Sequence, residues 1–236
     1  MTRQPETIVH LLRHGEVHNP EGVLYGRRPG YRLSELGRAM AERVAESVRD
    51  RDIVHVGASP LERAQETAAP TAKLLGLDVQ TDARLIESTN VFEGKRFGKD
   101  DGALTNPKNW WHLRNPLKPS WGEPYDVVVD RMRGAILDAR IAAHGHEAVL
   151  VSHQLPIWVT RLKAEGRRFL HDPRKRHCTL CSLTSFTFEG EHLVSVGYSE
   201  PAGDLIPLAD RSAPFSAGGA DDDTLPPSGQ PSGPSA

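Results

Sequence analysis

With 236 residues, 38% hydrophobic and 25% charged, the chain has the make-up of one globular domain of ordinary to large size, able to bury its own core without disulfides or metals. Its 29 Lys and Arg nearly balance 31 Asp and Glu, so no global basic field draws it to nucleic acid, and an anion site has to be a local concentration of Arg, His and backbone N–H groups. No apolar run approaches membrane-spanning length and the first residues, M-T-R-Q-P-E-T, lack a signal-peptide pattern, so no membrane partner and a reducing, cytoplasmic compartment are expected.

Residues 7–12, T-I-V-H-L-L, are apolar apart from His10, as in a parallel strand covered on both faces, with His10 expected as a satisfied interior histidine. After a loop containing Gly, Pro and Tyr, Ser34 is the expected N-cap of a helix whose Leu36, Met40, Val44 and Val48 recur every four residues. A second strand spans 52–57. In the A-S-P-L-E-R-A-Q-E-T run that follows, Ser59 reads as N-cap, Pro60 as the first helical residue and Glu62 as the partner in a capping box. Pro70 is expected to kink or interrupt that helix. Short strand character at 79–81 leads into R-L-I-E.

Residues 88–121 are the least periodic part, with Trp110, Trp111, Arg114 and Trp121 among scattered glycines and prolines. So long an irregular stretch suits a lid or substrate wall, and the tryptophans equally suit the core of a small cap. A helix over 124–143 feeds another buried strand, A-V-L-V-S-H, and two strands at 179–188 and 192–198 form a hairpin at E-G-E. Strands alternating with helices predict an α/β fold, a sandwich with a mainly parallel sheet and a late antiparallel hairpin, over residues 1–208. Residues 209–236 are rich in Pro, Gly, Ser and Asp and are expected to be disordered. The two cysteines, Cys178 and Cys181, have a spacing that suggests metal or redox chemistry, but no second pair follows, and within a strand they would face opposite ways.

In an open α/β sheet, ligands bind beyond the carboxyl ends of the strands. One such end carries Arg13, His14, Gly15 and Glu16; another carries Ser59, with Arg63 one turn into the next helix; a third carries Ser152 and His153. If these strands are neighbours, two histidines and two arginines converge. Paired guanidiniums in a cleft call for an anion, and their planar forks match phosphate oxygens. They also disfavour imidazolium, keeping His14 neutral and able to attack phosphorus. His153 is placed to donate to the transferring oxygens. Glu87 is the leading candidate to protonate the leaving alkoxide, and Glu16 is the alternative, with a structural role more in keeping with its adjacency to His14.

R-H-G-E at 13–16, S-P-L-E-R-A-Q-E-T-A at 59–68, L-I-E at 85–87 and V-L-V-S-H at 149–153 together resemble the successive signatures of the histidine phosphatase superfamily, over roughly residues 7–200. The resemblance implies a three-layer α/β/α fold and a phosphohistidine route with no metal and no cofactor. It makes His14 the nucleophile, Arg13, Arg63 and His153 phosphate ligands, and Glu87 the general acid and base. Asn19 stands in for a polar phosphate contact one position short of the family's usual spacing. Val17 and Gln154 replace the residues most common after R-H-G-E and after the second histidine. The tyrosine-glycine and paired-arginine pattern with which mutases hold a carboxylate is missing after Glu87.

These readings favour a phosphatase acting on a small phosphorylated substrate or a phosphoprotein, with a phosphoglycerate-type mutase second. A non-catalytic binding protein of the same fold and a metal hydrolase built on His14, His18, His144 and His146 are more remote. The hairpin and its flanking surface are a candidate face for a homodimer.

Overall fold

The first apolar run forms β1 (Glu6–Arg13), followed by a short β2 (Val17–His18). Helix α1 (Glu35–Ser47), β3 (Ile53–Ala58), α2 (Glu62–Leu75) and β4 (Val79–Thr81) come next. The chain continues through α3 (Tyr125–Ala142), β5 (Glu147–Ser152), α4 (Gln154–Ala164), β6 (Leu183–Glu189) and β7 (His192–Ser199). In the sheet the order is β4-β3-β5-β1-β6-β7, with the first four strands parallel and the hairpin of β6 and β7 antiparallel. The computed structural model describes residues 5–95, 122–171, 175–206 and 219–220. The tail expected to be disordered lies outside these residues except for β8 (Gly219–Ala220), which pairs with β2. Trp110, Trp111, Arg114 and Trp121, with most of the irregular segment, lie outside them too.

The two-residue period of a strand explains the layers. Val9 and Leu11 of β1, with Ala148 and Leu150 of β5, face a core closed by Val128, Met132 and Ile136 of α3 and Ile157 of α4. Leu12, Val149 and Val151 point the other way, onto Met40 and Val44 of α1 and Ala64 and Ala68 of α2. Both faces of the central strands are therefore covered, and the strands read as nearly continuous apolar sequence. The architecture is the expected α/β/α sandwich with its late hairpin. His10 is buried, between Ser185 Oγ at 2.7 Å and Glu147 Oε2 at 2.9 Å, away from the strand ends.

Ser34 caps α1 as expected, its side chain accepting from the Gly37 N–H. Three local expectations need correction. Helix α2 starts at Glu62, not at Ser59, because the Ser59 hydroxyl is engaged with His153 and the Glu62 carboxylate accepts from the Gly30 N–H in a neighbouring loop. The same helix continues uninterrupted through Pro70, where buried Ala68, Thr71 and Ala72 keep it seated. The hairpin begins at Leu183, not at 179. Residues 179–182 form a turn with Cys181 at φ 54°, and the Ser182 carbonyl accepts from the Arg13 N–H at 3.1 Å. Cys181 is thus a turn residue and Cys178 lies just before the turn, outside the strand; both are free and buried, and burial pushes the Cys181 thiol up to about 12.

Candidate active site

Strands β1, β3 and β5 are neighbours, so their carboxyl ends deliver Arg13–His14, Ser59 and Ser152–His153 to one edge of the sheet. Immediately after β1 the chain turns beneath the start of α1. This approach is possible only because both partners are glycines: a Cβ on Gly15 would stand 2.6 Å from the Gly37 carbonyl oxygen, and one on Gly37 2.1 Å from that of Glu16. The Gly15 N–H donates to Thr67 Oγ1 at 3.1 Å, and the buried Glu16 carboxylate accepts from Ser34 Oγ at 2.5 Å. Glu16 is thereby part of the helix cap, in keeping with a structural role.

His14 is buried, with Nδ1 2.8 Å from its neighbour's carbonyl, Gly15 O. A carbonyl only accepts, so Nδ1 carries the proton and Nε2 keeps its lone pair. Burial holds the imidazole well below the ordinary histidine range, and Arg63 and Arg13 push it the same way. The ring of His153 lies 5.1 Å from that of His14, and its Nε2 is 2.8 Å from Ser59 Oγ. Burial, then Arg63, then His14 likewise keep His153 neutral.

Arg13 donates through Nη1 to the Cys178 carbonyl at 2.7 Å, which fixes its guanidinium against the turn before β6. Arg63, fully buried in the first turn of α2, donates through Nη2 to Gly26 O at 2.6 Å and lies over the Tyr25 ring at 4.7 Å. Its Nε and Nη1, and Nδ1 of His153, are buried polar atoms with no protein partner among the described residues. Leaving a buried donor unsatisfied costs about 1–3 kcal/mol. Several such nitrogens around one histidine are what an oxyanion would satisfy together.

Glu87 follows the short 3-10 turn at Ala83–Leu85 and accepts from the Ser88 N–H at 2.8 Å. Burial raises its carboxyl above the ordinary range, against the Ser88 hydrogen bond, Arg63, Arg176 and Arg13, which pull the other way. A brace holds the backbone on either side. Arg27 Nε donates to Glu87 O at 2.6 Å, Glu123 joins Arg27 to Arg131, and Arg131 Nη1 reaches Arg84 O. Asn19 is buried, but its amide closes a loop on Val23, donating to Val23 O at 2.9 Å and accepting from Val23 N. Of the predicted residues, Arg13, His14, Arg63, His153 and Glu87 are brought together. Asn19 is occupied locally.

Sequence reasoning missed Tyr25, Ser59 as the partner of His153, and the Arg27–Glu123–Arg131 brace. Only the Tyr-Gly pair in the loop after β2 gave a local signal. The histidines of the metal hydrolase reading are separated: His146 sits before the amino end of β5 against Asp52, whereas His14 follows the carboxyl end of β1. Among the described residues, no group of three His, Cys, Asp or Glu side chains is placed to hold a metal ion. Nor is any helix among them long and apolar enough to cross a membrane.

Comparison with known proteins bears on this site. Uncharacterized protein Rv0525 of Mycobacterium tuberculosis (strain H37Rv) is 58% identical over 197 residues, covering 84% of this chain and 98% of that one. Probable phosphoglycerate mutase GpmB of Photorhabdus laumondii is 28% identical over 208 residues, covering 85% and 94%. The native structure of mycobacterial glucosyl-3-phosphoglycerate phosphatase Rv2419c superposes with a TM-score of 0.61 at 23% identity, covering 82% and 96%, a likeness of fold. The family model described as histidine phosphatase superfamily (branch 1) matches residues 9–201. Since that match runs from within β1 to just beyond β7 and takes in every strand end that supplies the pocket, the chain belongs to the histidine phosphatase superfamily, branch 1.

Proposed function

We propose that the chain is a phosphomonoester phosphatase working through a phosphohistidine on His14. The observation that carries the reading is the pairing of a lone pair on His14 Nε2 with the unpartnered nitrogens of Arg63 and His153 around it. A phosphoryl group entering there meets Arg13, Arg63 and His153 at its oxygens and His14 at phosphorus. Nε2 forms the N–P bond as the bond to the leaving oxygen breaks, and Glu87 gives that oxygen its proton. The ring then carries the positive charge, with its Nδ1 proton held by Gly15 O. In the second half, water attacks phosphorus, Glu87 takes the water's proton, and the N–P electron pair returns to His14.

The mutase alternative passes the phosphoryl group back to a second hydroxyl, and that requires water to be kept out. One observation favours hydrolysis: the paired-arginine pattern of mutases is missing after Glu87. The compartment and the assembly belong to the same proposal: a cytoplasmic enzyme, with the β6–β7 hairpin as the face for a homodimer.

His14→Ala is expected to abolish phosphate release from an aryl phosphate and to abolish a 32P-labelled enzyme intermediate that is acid-labile and base-stable. An acid-stable label, or a label that survives the substitution, would place the covalent bond elsewhere. Label passed between hydroxyls of a phosphoglycerate without release of phosphate would favour the mutase.

A further inference from the structure

The connection between α4 and β6 brings a third arginine to the pocket. Arg176 stands two residues before Cys178, whose carbonyl fixes Arg13, and its Nη1 is 3.5 Å from Oε1 of Gln154, the residue after His153. Its Nε donates to His171 Nε2 at 2.9 Å. His171 Nδ1 lies 2.5 Å from the Phe169 carbonyl and carries the proton, so Nε2 is the accepting nitrogen of a neutral ring. Arg176 also acts electrostatically on Tyr125, whose ring lies 6.1 Å from that of His171.

All of these partners are neutral. Arg27 and Arg131 share Glu123, Arg84 has Asp82 and Asp138, and Arg161 has Glu165. Among the described residues Arg176 has no carboxylate within ion-pair distance, although Glu87 lies within electrostatic reach. A half-buried guanidinium held in place by neutral acceptors retains its capacity for an anion. The phosphoryl group is accounted for by Arg13, Arg63 and His153. Glu87 serves the oxygen of the leaving alcohol, so an arginine within electrostatic reach of Glu87 and in contact with Gln154 is placed for whatever that alcohol carries.

We propose that Arg176, with Gln154 and Tyr125, forms a subsite for a second anionic group on the substrate, so that the substrates are phosphomonoesters whose alcohol bears a carboxylate or a further phosphate. The proposal rests on the reading of His14 and Glu87 given above. The charge that would sit after Glu87 in a carboxylate-binding mutase is then supplied here from the α4–β6 connection.

The test separates binding from turnover by using His14→Ala protein and calorimetry with two matched pairs. These are 3-phosphoglycerate against glycerol 3-phosphate for a carboxylate, and glucose 1,6-bisphosphate against glucose 6-phosphate for a phosphate. In at least one pair the doubly anionic member is expected to bind about tenfold tighter, a difference of about 1.4 kcal/mol. The advantage should fall below about twofold when Arg176→Gln is added, a loss of the charge-assisted contact. The pair that responds tells carboxylate from phosphate. Equal affinities in both pairs, or an advantage that survives Arg176→Gln, overturn the subsite. If Arg176→Gln does not fold, Arg176→Lys carries the comparison, with a reduced advantage expected and an unchanged one overturning the proposal. The phosphatase reading fails separately, if the wild-type protein forms no phosphoenzyme and releases no phosphate while the Arg176-dependent affinity stands.

Discussion

Burial acts with opposite sign on His14 and Glu87. Taken out of water, the imidazole resists its proton and the carboxyl keeps it, so both are driven toward their neutral forms. A neutral nucleophile beside a neutral acid is the pair that phosphoryl transfer to nitrogen requires. kcat/KM should therefore be bell-shaped in pH, with the acid limb displaced below the ordinary histidine range and the alkaline limb above the ordinary carboxylate range. Glu87→Gln should remove the alkaline limb and slow alkyl phosphates by about 10²–10⁴-fold, while an aryl phosphate with a good leaving group loses far less. Equal losses for both leaving groups would take Glu87 out of the acid role. At this scale the sequence was informative where chemistry coincides with a strand end, as at Arg13, His14 and His153. Tyr25, Ser59 and Arg176 escaped because each acts through a partner 38 to 94 positions away or through an irregular connection, and neither leaves a periodic trace.

Among the elements, the pocket depends on how closely α1 meets the loop after β1. Gly37 lies in the first turn of α1, where Ala would ordinarily improve a helix by about 1 kcal/mol. Here the added methyl would meet Glu16 O at 2.1 Å, so steric overlap reverses the sign. Gly37→Ala is expected to destabilise the protein by about 1–3 kcal/mol and to lower kcat, because the displaced loop carries His14. Chemical denaturation and steady-state kinetics on the same preparation check both effects; a variant as stable and as active as the parent would show that the contact relaxes freely. The element pattern was largely legible. Residues 124–143 were expected as a helix, and α3 occupies Tyr125–Ala142 with Pro124 and Ala143 at its ends. The errors occur where a side chain serves another element: Ser59 turns to His153, and the turn at 179–182 serves Arg13. Capping and strand propensities describe local bonds, and those bonds were outcompeted by distant ones.

For the molecule as a whole, the end of the sheet opposite the pocket has its own polar knot. The Glu147 carboxylate accepts from His10 Nε2 at 2.9 Å and from Arg51 Nε at 2.6 Å, while His10 Nδ1 meets Ser185 Oγ, which links β5, β1 and β6 to the turn after α1. Burial would raise this carboxyl, but the hydrogen bonds from His10 and Arg51 prevail and hold it at about 2. A depressed carboxyl contributes stability that is fully present above its unfolded pKa of about 4.5 and is lost as the pH falls toward about 2. Glu147→Gln should therefore cost on the order of 2 kcal/mol near neutral pH, with the difference from the parent shrinking in acid. Urea midpoints for both proteins across that range test this, and a pH-independent difference would contradict it.

The central place of β1 has a last consequence. It is hydrogen-bonded on one side to β5 and on the other to β6, along nearly its whole length, and both its faces are covered. A strand so enclosed cannot fray or open by itself, so its amides exchange with solvent only when the whole domain opens. Arg13 and the backbone at His14 are carried on that strand's end, and the pocket floor has no local melting of its own. Its persistence is the persistence of the fold, and the freedom needed to admit a substrate has to come from the rim.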